Sequence, residues 1–211
     1  LFALEDPEGF LLTHENERGL ILDEFQYAPQ LTSYVKLQAD EKKRPGYFIL
    51  TGSQNFLVNK SITESLAGRV GILNLYPLSN AELLANNLMP NDVDEVIFNG
   101  GYPRLYAEGI LPTELYPSYI LSYIQKDIGE LINPKNILTF RRFVQLCAGR
   151  IGQVCNINAL AAETGISAPT AKEWLSILQA NYTIFLLEPH FQNFNKRLIK
   201  SPKLYFCDTG L

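Results

Sequence analysis

Two short apolar runs stand out in the hydrophobic pattern near the start of the chain. Residues 19–22 and 47–50 form these runs, and each is followed at once by polar residues, at 23–24 and at 51–53. Short apolar runs bounded by polar turn residues are typical of buried strands. Between the runs, apolar residues recur near helical spacing at Leu31, Tyr34, Val35 and Leu37. The pattern predicts a strand, a helix and a second strand, which is the repeating unit of a parallel α/β sheet.

A weaker series of elements follows this unit. Residues 70–75 are mostly apolar and are followed by Pro77, and we expect a third strand there. Ser79 precedes a short apolar stretch and is expected to cap a helix through residues 81–84. From residue 92 to residue 146 the apolar spacing is helical, with interruptions at glycine and proline. This long segment is predicted to be a helical lid or connector.

The last third of the chain has a different pattern. Residues 158–164 and 169–180 show helical spacing and are separated by a turn that contains Gly165. A strand pattern follows at 183–187, and another lies at 203–208. Two helices joined by a glycine-containing turn and followed by strands are typical of a winged helix-turn-helix. Three residues of the second helix are spaced for positions in the core: Trp174, Leu175 and Leu178.

Composition and charge narrow the classes of function. The 211 residues are 46% hydrophobic and 19% charged, and the net charge is -4 with a pI of about 5.3. Such an acidic chain has no general attraction for nucleic acid or for an anionic membrane. No apolar run approaches the roughly 18 residues of a membrane span, so no membrane partner is expected. Three cysteines without a regular spacing favour a reducing cytoplasm over a disulfide framework.

Two successive acids, Asp23 and Glu24, stand directly after the first predicted strand. A strand that delivers two acids at its carboxyl end is the Walker B arrangement, because phosphoryl transfer needs two carboxylates with different roles. Asp23 would hold Mg²⁺ through its water shell, and Glu24 would orient the attacking water. The alternative interpretation is that this acidic pair only caps the strand and begins a turn.

Further polar residues follow in an order that suits the same chemistry. Ser53 or Gln54, after the second predicted strand, would contact the γ-phosphate or the lytic water, or would merely cap a glycine turn. Arg69 stands at a junction between a predicted helix and a predicted strand. From there an arginine can reach a nucleotide across a subunit interface and stabilise charge in the transition state. The alternative for Arg69 is an ion pair at the surface.

These residues together resemble a known family, the prokaryotic AAA-type P-loop ATPases whose ATPase core precedes a C-terminal domain of unknown function. The resemblance runs almost from end to end and rests on the order and spacing of short motifs. They lie at residues 19–29, 49–53, 65–69, 76–82, 100–103, 126–128 and 200–211. The resemblance implies an α/β fold, with a partial P-loop parallel sheet followed by a helical connector and a winged helix-turn-helix.

The resemblance also implies ATP as the ligand and Mg²⁺ as its metal. Asp23 and Glu24 would be the Walker B pair, with Asp23 holding the metal and Glu24 acting in catalysis. Ser53 would be the sensor that contacts the nucleotide. Arg69 would be the arginine finger, and a finger that acts across an interface calls for a homo-oligomer.

One motif of the family is missing from the residues of this chain. Family members carry a Gly-x-x-x-x-Gly-Lys-Ser/Thr loop upstream of the Walker B strand, whose amides and lysine cradle the phosphates. No such pattern occurs in the 211 residues. We therefore expect the chain to be a fragment of an ATPase that binds nucleotide poorly and is inactive by itself.

The expected organisation has four parts. Residues 1–90 form the partial ATPase core, 91–146 the helical lid or connector, 147–200 the winged helix-turn-helix, and 201–211 the start of a truncated C-terminal domain. In the family this last segment leads into a region that resembles restriction-type nucleases. No nuclease activity is assigned to the residues present.

The predicted winged helix leaves its partner open between DNA and a protein. Lys196, Arg197 and Lys200 lie near the wing and would contact a nucleic-acid backbone, or would belong to a solvated loop. The second helix has one lysine, Lys172, offset by Glu173, which is poor for gripping phosphates. A second hypothesis is therefore a binding module for DNA or a protein, with the ATPase core as a regulator or a relic. The acidic pI favours the protein partner.

Overall fold

The computed structural model describes residues 2–52, 66–123, 136–190 and 201–211. The chain divides into two units, Leu1–Leu73 and Asn74–Leu211, and each is considered by itself. Within the described ranges the protein is mixed α/β, with more helices than strands. In the same ranges, no helix combines the length and the apolar character that crossing a lipid bilayer requires.

The N-terminal unit combines helices with a small parallel sheet. Its elements in chain order are α1 (Phe2–Glu5), α2 (Pro7–Thr13), β1 (Leu20–Leu22), a 3-10 helix (Phe25–Tyr27), α3 (Leu31–Lys42) and β2 (Phe48–Leu50). Strands β1 and β2 pair in parallel, with Leu20 opposite Phe48 and Leu22 opposite Leu50. The predicted strand, helix and strand are confirmed, while α1 and α2 are elements that the hydrophobic pattern does not reveal.

The start of β1 depends on a glycine. Gly19 has a φ of +113°, and a Cβ there would lie 2.6 Å from the carbonyl oxygen of Tyr47. The Leu20 N–H donates to that same oxygen at 2.7 Å, which begins the pairing of the two strands. A side chain at residue 19 would therefore strain the backbone and collide with the chain that enters β2.

One face of this sheet contacts the core of the N-terminal unit. The core residues come from α2, β1, the 3-10 helix and α3, and each is almost completely buried: Leu11, Leu22, Phe25, Leu31 and Val35. On β1 and β2, Ile21 and Ile49 lie opposite each other in the register and are 66% and 52% exposed. Parallel sheets normally bury both faces, so these two residues form an unusually exposed apolar surface.

The C-terminal unit is mainly helical. Its elements are α4 (Asn80–Ala85), α5 (Val93–Asn99), α6 (Pro103–Glu108), α7 (Pro112–Tyr123), α8 (Ile137–Ala148), α9 (Ile157–Thr164), α10 (Ala168–Ala180), β3 (Ile184–Leu187) and β4 (Lys203–Phe206). Helices α5 to α8 confirm the predicted helical spacing at residues 92–123 and 136–146, and residues 124–135 of that prediction lie outside the described residues. The predicted cap of α4 is confirmed as well, because Ser79 and Glu82 form a capping box at its start.

The largest core of the C-terminal unit involves α8, α9 and α10. Trp174, Leu175 and Leu178 are buried there, as their spacing predicts. The Trp174 ring stands edge-on to the rings of Phe140 and Phe143, at centroid distances of 5.2 and 5.4 Å. Edge-to-face contacts of this kind are favourable, and here they join α8 to α10. Trp174 is therefore a core residue, unavailable for stacking on a nucleic-acid base.

A small antiparallel sheet contacts the same core. Strands β3 and β4 pair with Ile184 opposite Phe206. Ahead of α9, Val154 forms an antiparallel bridge with Lys203, which adds a third extended segment beside β4. The order from α8 onwards is therefore helix, short extended segment, helix, helix, strand and strand.

The structure corrects one predicted element. Residues 70–75 form no strand, and Leu73 and Leu75 are 97% and 100% exposed. A strand is stable only when its backbone pairs with a neighbour, and this described segment has no such pairing. Its apolar composition suits a strand but supplies no partner strand for it.

Candidate functional site

Polar side chains meet where β1 and β2 end. Because the strands are parallel, their carboxyl ends lie at the same edge of the sheet, with Asp23 and Glu24 after β1 and Thr51 after β2. The Thr51 N–H donates to the Leu22 carbonyl at 3.0 Å, and the Thr51 carbonyl accepts from the Phe25 N–H at 2.9 Å. These hydrogen bonds hold the carboxyl ends of β1 and β2 together. We call the following four residues the acidic edge cluster: Asp23, Glu24, Gln26 and Thr51.

Asp23 is exposed and is oriented by Thr51. The Thr51 hydroxyl donates a hydrogen bond to Asp23 Oδ1, so the side chains join the two strand ends as the backbone does. A carboxylate that is oriented on one side and open to solvent on the other suits Mg²⁺, which takes one or two carboxylates and keeps several waters. The chemistry of Asp23 therefore fits the metal role predicted for it.

Glu24 has an unusual backbone conformation. Its φ of 50° and ψ of 43° lie in the left-handed region, which costs a non-glycine residue about 1 kcal/mol or more. The other non-glycine residues with positive φ in the described ranges lie within two residues of a helix end: Lys43, Asn87 and Tyr182. Glu24 instead follows a strand directly and precedes the 3-10 helix. Strain at such a position is a feature of functional sites.

Gln26 is the buried member of the acidic edge cluster, with 9% of its surface exposed. Its Nε2 donates to Glu24 Oε2 at 2.6 Å. Its Oε1 is also buried, and no described residue donates a hydrogen bond to it. The nitrogen of the amide is thus bonded to Glu24, while its oxygen is a buried acceptor without a donor among the described residues.

The cluster supplies part of a site for Mg²⁺ and a nucleotide. Oxygen donors are present, but the described residues contain no group of three or more His, Cys, Asp or Glu side chains able to form a complete metal cage. This is compatible with Mg²⁺, which nucleotide-binding proteins hold together with the phosphates of the substrate. The donors that phosphates need are not among the residues of this cluster.

Arg69, the predicted finger, is part of an ion pair in the N-terminal unit. Its Nε donates to Asp40 Oδ1 of α3 at 2.7 Å. This hydrogen bond holds the pKa of Asp40 below its usual value. The arrangement matches the surface ion pair that is the alternative for this arginine. A finger role remains a prediction, and it would require Arg69 to leave Asp40.

Four predicted site residues lie outside the described residues. They are Ser53, the predicted sensor, and the three basic residues near the wing, Lys196, Arg197 and Lys200. Their roles stay predictions. Thr51, two residues before Ser53, is the polar residue of this segment whose contact with the acidic pair is described.

Sequence reasoning missed two members of the cluster. Thr51 stands in the same polar segment as Ser53, and its position directly after a strand was a signal for it. Gln26 lies two residues after Glu24, where a turn can bring the two side chains together. A single glutamine at that position does not predict such a contact.

A second group of polar residues lies in the C-terminal unit. Asp208 is buried, and its Oδ2 accepts from the Gly101 N–H at 2.7 Å. Its Oδ1 accepts from the Gly210 N–H at 2.9 Å and from the Tyr116 hydroxyl at 3.0 Å. Burial, followed by the charge of Asp208, raises the pKa of Tyr116 well above its usual value. Tyr116 is therefore a stable donor, and we call these four residues the Asp208 cluster.

A cleft of about 590 Å³ lies beside the Asp208 cluster. Residues 76–80, 100–101 and 207–209 line part of it, and these positions fall within motifs of the family resemblance. No basic side chain is present among its described lining residues. The cleft therefore does not suit the phosphates of a nucleotide, which bind to cations or to arrays of N–H donors.

Comparisons with known proteins assign a domain to each part of the chain. Residues 2–84 match an AAA domain, and this range includes the acidic edge cluster. Residues 90–211, more than half of the chain, match a domain of unknown function (DUF8612), and this range includes the Asp208 cluster. The small parallel sheet and its acidic edge cluster thus lie in the part of the chain that is similar to AAA-type proteins. The chain belongs to the family that carries this domain of unknown function, here preceded by the AAA domain.

Two relatives are uncharacterized proteins of Mycobacterium bovis and Mycobacterium tuberculosis. Each is 29% identical to the chain over 211 residues, which is 99% of this chain and 46% of the relative. The chain therefore spans about half the length of the curated relatives it matches. No solved structure matches it significantly.

Proposed function

We propose that the chain contains the catalytic acids of an ATP-hydrolysing AAA-type ATPase. The observation that carries the proposal is the meeting of Asp23, Glu24 and Thr51 at one edge of a parallel sheet. Ligands of open α/β sheets bind outside the carboxyl ends of the strands. The match to an AAA domain covers the same residues and supports a nucleotide as the ligand.

In the proposed reaction the residues have separate roles. Asp23 would hold Mg²⁺ through its water shell, and Thr51 keeps its carboxylate in one orientation. Mg²⁺, when bound, would offset negative charge on the phosphates. Glu24 orients a water molecule for attack on the γ-phosphorus. Hydrolysis forms a bond from the water oxygen to this phosphorus and breaks its bond to the oxygen that bridges the β and γ phosphates. Ser53 is the proposed sensor.

Binding of the phosphates needs more than these acids. The Gly-x-x-x-x-Gly-Lys-Ser/Thr pattern is absent from the 211 residues, and acids alone repel phosphates. We therefore expect weak ATP binding by the 211 residues alone. The natural full-length polypeptide that contains this sequence is the appropriate protein for measuring hydrolysis.

The role of Glu24 can be tested by steady-state hydrolysis. In the full-length polypeptide, Glu24→Gln should lower the Mg²⁺-dependent kcat for ATP by about 100-fold or more, because the amide is a poor base for orienting water. Glu17→Gln, which changes an exposed acid before β1, serves as the control and should retain the wild-type rate. Full activity in Glu24→Gln would refute the assigned role.

Arg69 is proposed as a finger that acts in trans, and this part of the proposal requires a homo-oligomer. Support comes from the family, since an AAA domain is often part of an oligomeric assembly. Arg69→Ala should lower kcat in the full-length polypeptide and should leave the KM for ATP almost unchanged. If the protein is monomeric during turnover, as measured by light scattering with ATP and Mg²⁺, a finger in trans is ruled out.

A second function is inferred for residues 147–200, which we infer to form a winged helix-turn-helix that recognises a partner. Its support is the order of elements. Helices α9 and α10 follow α8, and the antiparallel strands β3 and β4 come next, in the position of a wing. Residues 1–90 as ATPase core and 91–146 as connector complete the proposed division, and residues 201–211 supply β4, the second strand of the proposed wing.

The exposed surface of α10 favours a protein over DNA as the partner. Its exposed residues are Pro169, Lys172, Glu173 and Ser176, so the surface carries one positive and one negative charge. A recognition helix that grips DNA normally has an excess of positive charge. A mobility-shift assay at low salt, with wild type and the triple charge reversal of Lys196, Arg197 and Lys200, separates the partners. If DNA binding depends on salt and the charge reversal abolishes it, DNA and not a protein is the partner.

A further inference from the structure

Only one of the two polar atoms of the buried Gln26 amide has a hydrogen-bond partner among the described residues. Its Nε2 donates to Glu24 Oε2 at 2.6 Å, while its Oε1 is buried without a donor among the described residues. A buried acceptor of this kind costs free energy that an apolar side chain of similar size would not cost. The bond from Nε2 to Glu24 is the favourable contact of this amide, and we take that contact as the reason for an amide at this position.

The orientation of this amide follows from its partner. An ionised carboxylate only accepts hydrogen bonds, so the amide atom that faces Glu24 Oε2 must be the NH₂ group. A length of 2.6 Å is short for a bond from an amide nitrogen, as expected when the acceptor carries a charge. The reverse orientation would place two acceptor oxygens against each other, and it is therefore excluded.

The backbone makes Gln26 a rigid support. The preceding residue, Phe25, is 1% exposed in the core, and its N–H is bonded to the Thr51 carbonyl at the end of β2. Gln26 is itself buried within the 3-10 helix. The side chain of Glu24, by contrast, is half-buried and has several rotatable bonds. The hydrogen bond from Gln26 joins this carboxylate to the buried part of the N-terminal unit.

We propose that Gln26 is a positioning residue for Glu24, an inference that rests on the proposed ATPase function. The amide holds the carboxylate in the orientation from which it orients the attacking water. Gln26 touches neither the nucleotide nor the water in this scheme. Its contribution belongs to the chemical step, where misplacing a catalytic group by about 1 Å can cost on the order of 100-fold in rate. Its contribution to nucleotide affinity is nil.

The first test replaces the amide by an apolar side chain of similar size in the full-length polypeptide. Gln26→Met should lower kcat by about 10-fold to 100-fold, with KM and the affinity for a fluorescent ATP analogue within about twofold of wild type. The urea midpoint should stay equal or rise, since the unsatisfied Oε1 is removed. Gln26→Leu serves as a second variant, and Gln38→Met on α3 is the matched control with wild-type kcat.

The second test asks whether Gln26 acts through Glu24. In the Glu24→Gln background, Gln26→Met should cause no further loss of kcat, because the group that it positions is already gone. A structural role would lower kcat by the same factor in both backgrounds and would lower the urea midpoint. Either of these two outcomes would overturn the inference, as would an unchanged kcat in Gln26→Met and Gln26→Leu.

The controls separate this inference from the proposed function. If wild type hydrolyses ATP and Glu24→Gln does not, but the Gln26 variants retain full kcat, only the positioning role fails. If Glu24→Gln is as active as wild type, or wild type is inactive, the proposed function fails and the positioning role fails with it.

Discussion

Asp208 is a buried acid that receives three hydrogen bonds within the C-terminal unit. Two come from the N–H groups of Gly101 and Gly210, and the third comes from the hydroxyl of Tyr116, whose single proton is shared with the Asn99 carbonyl at 2.6 Å. Gly100 contributes by its lack of a side chain, since a Cβ there would overlap the Asp208 carboxylate. Residues far apart in the chain thus meet on one carboxylate, and its loss should weaken the whole unit.

We expect Asp208→Asn to destabilise the protein by about 2 kcal/mol. The amide keeps the shape of the carboxylate but turns one acceptor into a donor, which leaves a buried N–H without an acceptor. Asp94→Asn in the first turn of α5 is the control, with a change below about 0.5 kcal/mol. Urea unfolding measures both. A variant at Asp208 as stable as the control would show that this cluster has no structural role.

Tyr102 makes the stability of the folded protein depend on pH in the alkaline range. Burial, and then the neighbouring Tyr119, raise the pKa of Tyr102 well above its usual value of 10.0. The unfolded chain therefore loses this proton first, so the contribution to stability is complete below about pH 10 and is lost as pH rises further. Between pH 8 and pH 11, the free energy of unfolding measured with urea should fall less steeply in Tyr102→Phe than in wild type. Equal slopes would contradict this origin.

The individual site residues were only partly predictable from the sequence. Asp23 and Glu24 were accessible because two acids after an apolar run are a local pattern. Thr51 had only the weak signal of its position after a strand, and Gln26 had none, since their roles arise from hydrogen bonds that form only when β1 and β2 pair and the 3-10 helix turns back. Such contacts depend on side-chain orientation in three dimensions.

Helix α10 is an element whose start is specified by its first residues. Ser167 is the N-cap, and its Oγ accepts from the Thr170 N–H at 3.2 Å. The cap satisfies an amide that the helix itself leaves unpaired. Because α10 supplies Trp174 and Leu178 to the core, fraying of its first turn should be felt in the stability of the unit.

The same substitution at two serines of this region tests the cap. Ser167→Ala should cost about 1 kcal/mol, whereas Ser176→Ala, on the exposed face of α10, should be neutral or slightly stabilising because alanine favours helix. Urea unfolding of both variants gives the comparison. Equal effects would mean that the cap of α10 contributes nothing.

Elements with strong local signals were the predictable ones. The parallel strands, α3 and the helices of the C-terminal unit followed from apolar spacing, and the cap of α4 followed from Ser79. The strand expected at residues 70–75 was wrong, because the pattern does not state whether a neighbouring strand exists. Helices α1 and α2, of four and seven residues, were missed because the few apolar residues before Gly19 do not show a recognisable helical period.

At the scale of the whole molecule, the two units have different chemistry. The N-terminal unit has the exposed acids at a strand edge and matches an AAA domain. The C-terminal unit has a buried acid and a cleft without basic side chains, and it matches a domain of unknown function. The proposed division of labour therefore assigns nucleotide chemistry to the first unit and partner recognition to the second.

Mg²⁺-dependent binding of a non-hydrolysable ATP analogue to the full-length polypeptide tests the central proposal most directly. We expect Mg²⁺ to tighten binding to wild type by about 10-fold or more, and Asp23→Asn to abolish this effect without changing the affinity measured in the absence of Mg²⁺. Asp94→Asn should behave as wild type. The same Mg²⁺ dependence in Asp23→Asn and wild type would contradict a metal-nucleotide site at the end of β1.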